Sequence, residues 1–142
     1  PAVLARVAPG KARTGIDQYF RAWEHAVARF GEGQVSTYVI LGMGEDPELT
    51  VEGCRRAIDI GVFPFVVPIR PVAGSLMEDV MPPDRAYTEG IYRRVGAYMA
   101  ERGMDASIPK AGCARCQACS GLQGVQPLLQ IGRGPTRMSH VG

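Results

Sequence analysis

The chain has 142 residues, 46% of them hydrophobic, and its sixteen Lys and Arg nearly balance fourteen Asp and Glu at a formal charge of +2. That length supports one domain with a genuine core, and no apolar run reaches the roughly 18 residues that a membrane span needs. The balanced charge excludes a surface built to neutralise nucleic-acid phosphates. Among the cations only Lys11 and Lys110 are lysine. With the many Ala and Gly, that usage points to a GC-rich bacterial genome. No charged-then-apolar leader opens the sequence, so export and a disulfide framework are not expected and a cytoplasmic location is. The chain begins at Pro1 without an initiator Met and reads as a piece of something longer.

Residues 1–13 read as a basic lead-in with a turn at Pro9 and Gly10. From Thr14, a candidate N-cap, Ile16, Phe20, Trp23, Val27 and Phe30 recur at spacings of four and three, which predicts a helix stopped by Gly31 and Gly33. Residues 34–42 form a β-branched, nearly continuous apolar run, expected to be a strand covered on both faces. Asp46 followed by Pro47 marks the start of a second helix, with Leu49, Cys54, Ala57 and Ile58 as its inner face and Gly61 as its stop. A second strand follows over residues 62–69, its prolines placing it at an edge or making it irregular. Asp84 caps the last expected helix, which carries Tyr87, Ile91, Val95, Tyr98 and Arg102 and closes at Gly103. Helices alternating with parallel strands are the repeat of α/β folds.

Three segments result: 1–104 as the βα part, 105–120 as a Cys-rich metal-binding segment, and 121–142 as a tail whose Gly, Gln and Pro composition reads as disordered. Two clear strands fall well short of the roughly 200–250 residues of a closed βα barrel. The chain therefore reads either as a domain needing help or as the back part of such a barrel.

The loop at Gly42, Met43, Gly44 and Glu45 sits where a strand ends and a helix begins, the place where α/β proteins bind ligands. A dinucleotide fingerprint fails there, because Pro47 stands where its third glycine belongs. A tight turn using glycine for its backbone angles is the plain alternative. Residues 38–45 (YVILGMGE) resemble the GxIxGxxE signature of the radical SAM superfamily. Ile40, Gly42 and Glu45 match, while Tyr38 replaces the leading glycine. Residues 66–71 (VVPIRP) resemble the next strand of biotin synthase-like members, and Pro9-Gly10-Lys11-Ala12 with the Trp23 helix resemble the stretch after the fourth strand. The resemblance spans roughly residues 5–103. It implies the C-terminal βα units of a partial TIM-type barrel and a site for S-adenosylmethionine. Ile40 and Gly42 would lie along the adenine, Glu45 would brace the loop or contact the adenine amino group, and Pro68 and Arg70 would be near the nucleoside. The family's CxxxCxxC, which holds the radical-generating [4Fe–4S] cluster, is absent and expected upstream, in the missing N-terminal half of the barrel. A small-molecule substrate and an electron donor are the expected partners, with neither nucleic acid nor membrane.

Cys113, Cys116 and Cys119 have the wrong spacing and position for that cluster. Three thiols within seven residues suit an auxiliary iron–sulfur cluster or a zinc ion, leaving one coordination position for an outside ligand such as His140; spare exposed thiols are the plain alternative. Cys54 reads as a buried structural thiol, and His25 and the Arg93-Arg94 pair as solvated. Arg70 could hold a carboxylate or pair with Glu78 or Asp79. A different class of function also fits, a small non-catalytic metal-binding module. Nucleoside binding separates the two.

Overall fold

The computed structural model describes residues 2–131. Its elements, in order, are α1 (Ala2–Val7), α2 (Pro9–Thr14), α3 (Ile16–Phe30), β1 (Val35–Leu41), α4 (Pro47–Asp59), β2 (Val62–Pro68), α5 (Arg85–Glu101), α6 (Gly112–Cys116) and α7 (Leu122–Ile131). The lead-in is helical rather than a bare turn. Leu4, Ala5 and Arg6 favour helix, and the break falls at Ala8 because Pro9 disfavours helical geometry in the residue before it. Thr14 ends α2 instead of capping α3, whose N-cap is Gly15 at φ 75° with no side-chain cap.

β1 and β2 pair in parallel over their whole length, from Val35 opposite Val62 to Leu41 opposite Pro68. Both are edge strands of a two-stranded sheet. In such a sheet only alternate N–H groups face the partner, so β2 stays regular despite Pro64. It is also the strand covered on both faces. β1 is not: its burial alternates, and Tyr38 and Ile40 are 57% and 43% exposed. By the two-residue period of a strand, Ser36, Tyr38 and Ile40 share a face with their register partners Phe63, Phe65 and Val67.

The core lies between α4, β2, α5 and the C-terminal segment, with Val51, Cys54, Ile58, Phe63, Phe65, Ile91, Val95 and Met99 buried. Asp46 and Asp84 cap α4 and α5 through the Leu49 and Tyr87 amides at 2.9 and 2.7 Å. Leu49 does not join the inner face. It is 69% exposed, because it lies about 200° around the helix from Val51, which takes that role. Arg94 clamps Glu48 with two bonds of 2.7 and 2.5 Å, tying α5 to α4.

The segment after Met104 is ordered by amide brackets. Gln126 accepts from the Ala106 amide and donates to the Met104 carbonyl at 2.7 and 3.0 Å. The buried Gln117 amide donates to the Ala106 and Ala114 carbonyls. Gln34 in turn grips the chain at Ile108 and Lys110. α7 therefore forms where composition suggests disorder, with Leu122 fully buried and Val125 nearly so. Residues 132–142, including His140, lie outside the described residues. Among the described residues no helix is long and apolar enough to cross a membrane.

Candidate functional site

The loop after β1 is fastened from inside by Glu45. Its Oε1 accepts from the Gly42 amide and its Oε2 from the Met43 amide, both at 2.8 Å. The Tyr87 hydroxyl, 42 residues further on, donates to Oε1 at 2.7 Å. Burial alone would raise the Glu45 pKa. The amides of Gly42, Glu45 and Met43 and the Tyr87 hydroxyl together outweigh it and hold the carboxyl below its usual range. The Tyr87 hydroxyl is pushed up to about 12, by burial first and then by its bond to the carboxylate.

Gly42 is required on two grounds. Its φ is +94°, and a Cβ there would stand 2.6 Å from Pro83 Cδ and 3.1 Å from Ile69 Cγ2. The Ile69 amide donates to the Leu41 carbonyl at 2.8 Å, which carries the strand pairing up to the loop. On the other side, Arg6 Nη2 of α1 donates to the Met43 carbonyl at 2.9 Å. A groove of about 380 Å³ opens here, floored by Gly42, Met43 and Gly44.

The structure thus brings Ile40, Gly42, Glu45 and Pro68 to the C-terminal ends of the paired strands. Ile40 is exposed on the open face, opposite the nearly buried Val67. Arg70, two residues past β2, is exposed, and among the described residues it makes no ion pair with Glu78 or Asp79; the Glu78 carboxylate instead accepts from the Gly74 amide at 2.6 Å. Tyr87 and Arg6 also fasten this loop, and neither is placed at it by the sequence. Tyr87 is visible there only as a helix-face aromatic three residues after the Asp84 cap.

Cys113 and Cys116 lie one turn apart on α6, and Cys119 follows the left-handed Gln117. All three are exposed, whereas Cys54 is buried and its thiol is pushed up to about 12 by burial. Cys113, next to the Tyr38 hydroxyl, holds the tyrosine pKa above its ordinary value. Among the described residues no three His, Cys, Asp or Glu gather into a set that could hold a metal ion. The trio is available but not assembled. His25 is exposed, as its place on α3 suggests.

No family model matches the chain, and no solved structure does. Over 86 residues it is 33% identical to bacteriochlorophyllide c C-7(1)-hydroxylase of Chlorobaculum limnaeum, a match covering 59% of this chain and 21% of that protein. The chain thus spans about a fifth of the length of that curated relative.

Proposed function

We propose that the chain supplies C-terminal βα units of a radical SAM barrel and that the loop braced by Glu45 is the wall for the adenosine part of S-adenosylmethionine. The observation that carries this reading is the brace itself. A carboxylate takes two successive loop amides and a distant tyrosine hydroxyl, which fixes bare backbone at a strand end beside an exposed apolar side chain, Ile40. Those residues suit an adenosine, which needs an apolar surface for its base and close approach of backbone to its sugar. The resemblance of residues 38–45 to the GxIxGxxE signature supports the family, as does the partial likeness to a radical SAM hydroxylase. Residues 66–71 support the narrower biotin synthase-like reading.

With S-adenosylmethionine at a reduced [4Fe–4S] cluster held elsewhere, the chemistry supplied would be one-electron cleavage to methionine and a 5′-deoxyadenosyl radical able to take hydrogen from a substrate. The residues of this chain do other work. Ile40 and Pro68 give apolar contact, Gly42 lets the chain approach closely, and Glu45 stays ionised to hold the loop. Tyr87 orients Glu45, while Arg70 remains a carboxylate holder near the nucleoside. The whole protein's reaction, its substrate and its electron donor are part of the proposal. In calorimetric titrations S-adenosylmethionine and 5′-deoxyadenosine should bind saturably, and Ile40→Asp should weaken both at least tenfold with an unchanged circular-dichroism spectrum. Absence of saturable binding, or indifference to Ile40→Asp, counts against the reading.

A second reading rests on the three exposed thiols within seven residues: a metal-binding module, taking an iron–sulfur cluster or zinc. Closing so short a loop has a small entropic cost, although the trio is not gathered in the structure. Anaerobic reconstitution should then load metal that single changes of Cys113, Cys116 or Cys119 to Ala abolish and Cys54→Ala retains. Metal loading without nucleoside binding would favour this module over the enzyme.

A further inference from the structure

We infer that the groove between α1 and the loop after β1 binds an amphiphilic monocarboxylate, its carboxylate on Arg6 and its apolar body along Met43, Leu76 and Met77. The groove holds about 380 Å³, within the range of small-molecule sites. Val7, Met43, Leu76, Met77 and Val80 form its apolar wall, and Arg6 is the one charged side chain lining it.

Arg6 is anchored but not satisfied. Its Nη2 donates to the Met43 carbonyl at 2.9 Å, which sets the guanidinium at the rim and leaves most of its five donors for a ligand. Arg55, Arg85, Arg93, Arg94 and Arg102 each pair with a carboxylate. Arg6 has no such partner among the described residues. The nearby carboxylate of Glu45 is already committed to the loop amides and Tyr87.

The lining selects the ligand class. One guanidinium matches one negative charge, best as a carboxylate held through two parallel bonds. A phosphate dianion would ask for a second cation, and an amine would be repelled. Leu76 is 93% exposed, so an aliphatic body laid against it would remove apolar surface from water. As a binding site the groove stands on its own lining; its occupant's role as the molecule losing hydrogen rests on the proposed radical chemistry.

Octanoate and 1-octanol serve as probes on the full chain carrying ¹³C-methyl methionine. Octanoate should shift the Met43 and Met77 methyl resonances saturably, with 1-octanol at least tenfold weaker. Arg6→Met should bring octanoate down to the level of 1-octanol, and Arg6→Lys should restore part of the difference. Because Arg6→Met could unseat α1, Leu76→Ser provides a second variant, expected to weaken octanoate several-fold with Arg6 in place. Equal affinity for the two probes, no response of either methyl, or octanoate binding unchanged by both Arg6→Met and Leu76→Ser would overturn the inference. 5′-Deoxyadenosine titrated into the same sample separates the two proposals. Octanoate binding without nucleoside binding upholds this site and removes the radical reading, and nucleoside binding without octanoate does the reverse.

Discussion

Glu45 organises the site, and its carboxylate gives the loop a pH dependence of known sign. Its folded pKa lies below the ordinary value, so its contribution is fully present above about pH 4.3 and is lost as pH falls through the lowered folded value. Tyr87→Phe removes one bond to that charge and should destabilise the chain by about 1 kcal/mol at pH 7. In urea titrations that difference should shrink toward zero as pH drops below 4; a constant difference would mean the hydroxyl acts through packing alone. Gly42→Ala should cost more, about 2 kcal/mol, since both the positive φ and Pro83 oppose a methyl, which thermal unfolding can read. Cys54, buried with its pKa near 12, should stay inert to a disulfide reagent at pH 8 while Cys113, Cys116 and Cys119 react; labelling of four thiols in the native state would contradict its burial. Glu45 is legible in the sequence because its partners lie two and three residues away. Tyr87 and Arg6 are not, since each reaches the loop from about forty residues' distance and only folding brings them there.

Among the elements, the caps are the most readable. Asp46 and Asp84 each precede a helix and bind the amide three residues on, so Asp46→Ala and Asp84→Ala should each cost about 1 kcal/mol in chemical denaturation. The strands' existence is readable too, since their β-branched runs need no distant information; the register and the half-open face of β1 are not, because both depend on what packs beside the strand. α7 is not. Gly124 and Pro127 argue against a helix by propensity, yet Leu122 and Val125 pack against α5, and tertiary contact overrides the local preference. Gln126 is the bracket that makes this possible. Gln126→Ala leaves the buried Ala106 amide and Met104 carbonyl without their partner and should cost about 2 kcal/mol. Gln126→Glu, with an oxygen in place of the donor, should fail at the Met104 carbonyl only.

For the molecule as a whole, the two-stranded sheet of the described residues leaves the apolar side chains of Tyr38 and Ile40 exposed on one face. An environment-sensitive dye should bind this face, and Ile40→Asp should reduce the signal; a dye-silent monomer would contradict the exposure of Tyr38 and Ile40. The braced loop and the groove lie at the C-terminal ends of the strands, next to Ile40 at the end of the exposed face, which is where the proposed adenosine site would be. The most direct measurement is residue-resolved amide mapping of 5′-deoxyadenosine binding to the full chain. Saturable shifts are expected to concentrate at residues 40–45 and at Ile69 and Arg70, and to be lost in Gly42→Ala. Shifts spread evenly over the chain, confined to residues 113–119, or unchanged in Gly42→Ala would contradict the proposed adenosine site.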